Sequence, residues 1–451
     1  MTNTQDMTTG SLPKKILIFS VPLILTNLLQ VLFNMADIAV VGQFAGSTAL
    51  GSVGSTSILV SLFTGFLIGV ASGVNVLIAR YLGAKSHDAL TKTVHTSAIL
   101  CLVIGLLLAA IGVGFSRGFL VLLGTKDELI EGAHLYLQIY FLGMPALALY
   151  NFGNAVLSAA GDTKRPLFYL SIAGALNIVL NLFFVIVCRM SVAGVALASV
   201  ISQYLSAFLI LRRLFATREV YGMRLCDLRM DGMRARSILA LGLPAGFQNA
   251  IFAIANLFIQ AGVNTFDAVV VEGNSAAANA DALVYDVMAA FYMACSSFMG
   301  QNYGAKKRDR VLKSYLISLA YSFGIGAIFG IGLVLLGENF LALFTPDAVV
   351  IEAGMHRLRV MGFSYAVSAF MDCTIAASRG LGKSLVPTII VILGSCVFRV
   401  AWVYTVFAHF GTLPSLYLLY IFSWSITAIA EIAYFVPCYK KQMKAIEGHG
   451  I

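Results

Sequence analysis

Apolar positions run along this chain in twelve long blocks, with polar residues gathered between them. The blocks cover roughly 16–41, 50–79, 94–115, 134–160, 166–188, 192–215, 238–262, 270–299, 314–336, 354–381, 386–408 and 415–438. Each is about 20 residues or longer, enough as a helix to cross a hydrocarbon core about 30 Å thick. In lipid, every backbone N–H and C=O has to be satisfied within the protein, so long apolar runs predict helices. The first block is too long for a signal peptide and no small-residue cleavage site follows it, so it is expected to remain as a first span. Met1–Gly10 before it is polar and predicts no element.

Polar and small residues between and within the blocks recur at a fixed distance. Pro22 and Asn27 return as Pro244 and Asn249, Gly83-Ala84-Lys85 as Gly304-Ala305-Lys306, Phe119-Leu120 with Glu131 as Phe340-Leu341 with Glu352, and Gly161 with Pro166 as Gly382 with Pro387. The offset stays near 221 residues across all four segments. A duplicated half in so apolar a chain is the mark of a membrane transporter built from two bundles. Six spans per half return the chain to the same side, so the halves insert in the same orientation. They are expected to be parallel repeats with a pseudo-two-fold axis along the membrane normal.

Composition agrees with the pattern. Of the 451 residues, 59% are hydrophobic and 11% charged, against about 25% charged in soluble proteins. The net charge of +9 would suit a nucleic-acid binder, but its distribution excludes one. Alternate loops hold 24 of the 30 Lys and Arg, from Lys14 and Lys15 through the seven arginines between Arg212 and Arg236 to Lys440, Lys441 and Lys444. This is the positive-inside pattern for an even number of spans with both termini cytoplasmic. The expected organisation is a cytoplasmic tail (1–13), an N-terminal six-helix bundle (14–215), a cytoplasmic linker (216–237), a C-terminal six-helix bundle (238–438) and a second tail (439–451), all-α and multi-pass in the inner (plasma) membrane. Most of the seven cysteines fall inside predicted spans and show no metal spacing, which reads as apolar packing. Gly65, Gly69 and Gly73, four apart, predict a face where a neighbouring backbone comes close.

Polar residues inside the spans carry the functional signal, because a charge at mid-membrane costs about 2.5–3.5 kcal/mol on insertion scales. Asn27, Gln30, Asn34 and Asp37 repeat at spacings of three and four and share one helix face. An acid there suits a proton or Na+. Asn177 and Asn181, one turn apart in the fifth span, and Ser199 in the sixth are expected to join Asp37 as an ion-coupling cluster. In the second half, Asp372 follows Tyr365 and Ser368 on one face, and Arg399 in the eleventh span is its candidate ion-pair partner. Asn27, Gln30, Asn34, Asn151, Asn249, Asn256 and Gln260 are candidates to line a cavity, and Asp281, Asp286 and Glu431 are acids whose depth the sequence does not fix. Apart from a possible Na+ at Asp37, no metal and no other cofactor is expected.

Two fragments imitate nucleotide motifs and fail. Gly324 to Gly330 matches GxGxxG only loosely and lies within a span, and Gly382-Lys383-Ser384 has Ala377 where a phosphate loop needs its first glycine. With no ATPase machinery in the chain, energy has to come from an ion gradient or a separate protein. The six histidines are scattered, which argues against a membrane enzyme, and a duplicated two-bundle design suits alternating access better than a passive channel.

Several stretches resemble the multidrug and toxic compound extrusion (MATE) transporters. They are Val21-Pro22 through Asn27 to Asp37 with Val41-Gly42, Arg80-Tyr81-Leu82-Gly83-Ala84-Lys85, Ala160-Gly161-Asp162-Thr163 with Pro166, Gly300-Gln301-Asn302-Tyr303-Gly304-Ala305, and Arg379-Gly380-Leu381-Gly382 with Pro387. The resemblance spans about residues 12–440. It implies ion-driven export of amphipathic, often cationic, small molecules by a protein expected to act as a monomer in lipid. It also implies that Asp37 and Asn177 match first- and fifth-helix residues of a cation or proton site, and that Asp372 matches an ion-coupling acid of some bacterial members. Some sodium-coupled members carry an aspartate where Asn181 stands and a glutamate in the seventh helix, where this chain has Asn and Gln. A related two-bundle architecture serves lipid-linked saccharide flippases. A flippase for pyrophosphate-linked lipids needs several basic residues inside, where this chain offers chiefly Arg399.

Overall fold

A computed structural model describes residues 5–448. Residues 1–4 and 449–451, the outer parts of the two expected tails, lie outside the described residues. The described chain is helical: α1 (Leu12–Ala45), α2 (Ser47–Gly83), α3 (His87–Leu122), α4 in two arms (Asp127–Phe141 and Met144–Ala159), α5 (Lys164–Val187), α6 (Ser191–Ala216), α7 (Gly232–Val263), α8 (Ala268–Gly304), α9 (Arg308–Leu341), α10 (Ala348–Gly380), α11 (Leu385–Phe410) and α12 (Leu413–Ile446). Eleven single helices and one bent pair are long and apolar enough to cross a membrane, as the twelve blocks predict. Several helices overrun their apolar blocks, because intrahelical hydrogen bonding continues after the side chains turn polar. Asp267 and Asp347 illustrate the ends: each caps its helix by accepting from a backbone N–H, Val270 at 3.1 Å and Val349 at 2.9 Å.

The 47° bend in α4 has a covalent cause. Pro145, at the start of the second arm, cannot donate to the Phe141 carbonyl, and its ring crowds that position. Four segments widen to π-helical turns, Val41–Ala45, Phe183–Val187, Ile392–Val397 and Val403–Phe407. Nothing in apolar periodicity announces them.

The chain packs as two compact units. Among the described residues, the first holds 5–6 and Leu25–Ala250, and the second Met7–Ile24 and 251–448. The divisions fall inside α1 and α7, so the first three turns or more of α1 pack with the second unit, where Phe19 meets Phe298 edge-on at 5.5 Å. In the first unit, α2 crosses the early part of α7 glycine against glycine. A Cβ on Gly73 would lie 2.6 Å from the Gly242 nitrogen, and one on Gly69 would strike the backbone of Ala245 and Gly246. The predicted glycine face thus meets a second one, Gly242 and Gly246, also four apart. The repeat is visible in the backbone: Lys85 and Lys306 both turn to positive φ (52° and 57°), as do Gly161 and Gly382 (84° and 79°).

The segment before α1 is not the featureless stretch its polarity predicts. Met7 is fully buried in the second unit. The carbonyls of Met7, Thr8, Thr9 and Gly10 accept from Asn302, Lys307 and Arg310 at 2.6–3.1 Å. Side chains from the corner between α8 and α9 supply the hydrogen bonds that regular structure does not. The linker is likewise held to the first unit. His95 donates through Nδ1 to the Thr91 carbonyl (2.7 Å), which leaves Nε2 to accept the Arg224 N–H at 3.0 Å.

Candidate functional site

In the first unit, α1, α5 and α6 bring Asp37, Asn177, Asn181 and Ser199 together. Asn181 donates to the Asp37 carboxylate, and its Nδ2 also reaches Asn177 Oδ1 at 3.2 Å. Ser199 Oγ donates to the other Asp37 oxygen at 3.2 Å and receives Asn177 Nδ2 at 3.4 Å. The four side chains form a closed ring whose donors to Asp37 are neutral. Asn181 is fully buried, and its Oδ1 has no hydrogen-bond partner. An unpaired amide oxygen beside a carboxylate, with Asn177 Oδ1 and Ser199 Oγ near, is an oxygen set that suits Na+ or a bound water. The π turns of α1 and α5 begin four residues after Asp37 and two after Asn181. Such turns concentrate at functional sites because they re-aim side chains.

Asp37 opens onto a cavity of about 210 Å³. Gln30 and Asn34 from α1, Asn151 from α4, and Ser202 and Gln203 from α6 line it together with Tyr136, Tyr140, Tyr150 and Phe33. Asp37 is the one acid in this lining, and the lining contains no Lys, Arg or His. Tyr136 and Tyr140 stack with ring centroids 5.8 Å apart. Neither tyrosine figures among the sequence candidates. Their signal is the i, i+4 spacing on the first arm of α4. Among the other cavity candidates, Asn249 gives its amide to the Gly65 carbonyl at 2.9 Å, a packing contact. Asn256 is exposed, and Asn27 is half-buried above Gln30 on α1.

The second unit arranges its polar residues differently from the sequence expectation. Tyr365 donates to Asp281, not to Asp372. Asp281 also accepts both Nε (3.0 Å) and Nη2 (2.5 Å) of Arg357. Arg357 Nη1 reaches Asn274 Oδ1 at 2.7 Å, which also receives Tyr417 at 3.1 Å. Gln260 joins through Asn274 Nδ2 at 3.5 Å. Arg357 lies over the rings of Tyr417 and Tyr420, 5.5 and 5.3 Å from their centroids. Arg399, expected to pair with Asp372, donates to Ser423 at 3.1 Å and packs on Phe252, Tyr420 and Trp424. Its guanidinium reaches Asp372 only electrostatically, as does that of Arg379. Aromatic faces replace the missing carboxylate, a cation–π arrangement. Arg357 was readable as a charge within the tenth apolar block, but its distance of seventy-six residues from Asp281 hides the pairing.

The MatE family model matches residues 22–183 and again 244–405, one copy per repeat. The chain belongs to the MatE family. As a member it resembles the probable multidrug resistance protein YpnP of Bacillus subtilis, with 29% identity over 80% of each chain. It also resembles the FAD transporter of Shewanella oneidensis, with 24% identity over 71% of this chain and 72% of that one. Among solved structures, an outward-facing multidrug resistance MATE family transporter of the MOP superfamily matches with a TM-score of 0.89 and 23% identity over 99% of both chains. A MOP superfamily transporter from Pyrococcus furiosus, described by a reversed polarity of its binding pocket, matches with a TM-score of 0.89 at 23% identity over 98% of both. These structures establish the fold. This MatE protein is therefore an all-helical, multi-pass membrane protein of a transporter family with small-molecule substrates.

Proposed function

We propose that this MatE protein is a secondary active antiporter of the inner (plasma) membrane, with cytoplasmic termini, that exports amphipathic, often cationic compounds in exchange for H+ or Na+. The observation that carries this reading is Asp37, an acid held by neutral donors at the wall of a cavity without basic side chains. A carboxylate without a fixed cation is open to a mobile one, and tyrosine faces suit an amphipathic cation. The same lining disfavours the flippase alternative, since a pyrophosphate group would meet an acid and no base. The names of curated relatives, several of them multidrug resistance proteins, agree.

The ion drives export only if it prefers one conformation over the other. One charge entering down about 100 mV contributes about 2.3 kcal/mol, which sustains roughly a fifty-fold gradient of a neutral substrate. Asp37, Asn177, Asn181 and Ser199 bind the coupling ion, and its arrival favours the arrangement of α1 from which substrate leaves. The test is efflux of a fluorescent cationic dye from proteoliposomes, with a ΔpH and a Na+ gradient imposed separately. One gradient drives wild-type efflux, and Asp37→Asn abolishes it while the protein still inserts. Efflux at the wild-type rate by Asp37→Asn would overturn the proposal.

A further inference from the structure

Glu431, on α12, has no solvent exposure, and both its carboxyl oxygens are buried without a hydrogen-bond partner. Its neighbour in chemistry, Asp281, takes two guanidinium bonds and a tyrosine hydroxyl. An ionised Glu431 would forgo every donor that compensates a carboxylate for lost water, the costliest arrangement open to a buried acid. Protonation removes that charge. Charged side chains stand on the helices packed around it. α12 packs on α10 and on α11. From α10 come Asp372 and Arg379, seven residues and so about two turns apart on one face, both in electrostatic reach of Glu431. Arg379 acts on both acids. From α11 comes Arg399, which acts on Asp372 and is held by Ser423 and aromatic rings. On α12 itself, Tyr434 lies within reach, with Cys438 beside it.

We propose that Glu431 is a proton-binding site of the second unit, and that Arg379, shared with Asp372, positions it. The proton stays on Glu431 while Arg379 is drawn to Asp372. When Arg379 turns to Glu431, the Glu431 O–H breaks, the proton passes to water, and the carboxylate left behind pairs with Arg379. The importance of this proton for transport rests on the antiport reading; its presence does not.

Infrared difference spectroscopy of the full-length protein, titrated with pH in detergent, reads the carbonyl band of protonated carboxylic acids directly. Glu431→Gln is expected to lose one such band while keeping its helical circular dichroism. Arg379→Gln, which removes the shared cation, is expected to keep the band to higher pH than wild type. If Glu431→Gln does not fold, Glu431→Asp is expected to fold and shift the band's frequency. A Glu431→Gln spectrum identical to wild type, or a Glu431→Asp band that does not move, would overturn the proposal. Neither result bears on dye efflux by Asp37→Asn, so failure here and failure of the antiport reading are told apart.

Discussion

Asn181 spends one amide nitrogen on two acceptors, Asp37 and Asn177, in a position with no solvent. Leucine there would fill similar volume and remove the donor. Interhelical polar contacts in membranes are worth about 0.6 kcal/mol on average and about 1.7 at most. Asn181→Leu should therefore lower the detergent unfolding temperature only slightly while removing most dye efflux. A double-mutant cycle with Asp37→Asn should be non-additive for stability, because the two residues share one contact. Additive losses would mean that the contact contributes nothing. At this scale the sequence was legible where a helix period places partners on one face: Asp37 with Gln30 and Asn34, and Asn177 with Asn181. It was silent on the partner of Tyr365. Tyr365 is at the right spacing for Asp372, yet it bonds Asp281, because a tyrosine hydroxyl reaches well beyond its own helix face.

Helices pack in lipid without a hydrophobic force between them, so close backbone approach and van der Waals contact matter more. The crossing of α2 on α7 depends on this. A methyl on Gly73 meets backbone at 2.6 Å, which no rotamer change can relieve. Gly73→Ala should cost roughly 1–3 kcal/mol, the usual penalty for overpacking. Gly114→Ala, with nothing within 4 Å of the new Cβ, should leave unfolding in detergent unchanged or raise it. Equal melting temperatures for the two variants would refute the close crossing. The glycine face could be read from spacing in advance because small residues four apart have few other uses in an apolar helix. The π turns of α1, α5 and α11 could not. A single extra residue in a helical turn leaves an apolar sequence apolar, and no residue type marks it.

The two repeats share a scaffold and differ in where they put charge. Opposite Asp37, at an offset of 222, stands Ile259, which is buried. Opposite Asn181, at 221, stands Trp402, whose indole N–H donates to the Ser415 carbonyl at 2.7 Å. The second unit instead holds a buried pair, Asp281 and Arg357, with the polar atoms around it satisfied by Asn274, Tyr365 and Tyr417. A pair that is both buried and hydrogen-bonded on all sides has little left to give a mobile ion, and it ties α8 to α10. Removing one partner should be severe, about 3–5 kcal/mol, because it strands a buried charge. Asp281→Asn should therefore cut the yield of folded protein and its resistance to trypsin. Asp281→Asn combined with Arg357→Met should recover part of both, since the stranded cation goes with the second change. Loss of dye efflux by Asp281→Asn with no loss of folded yield or trypsin resistance would place this pair in transport instead.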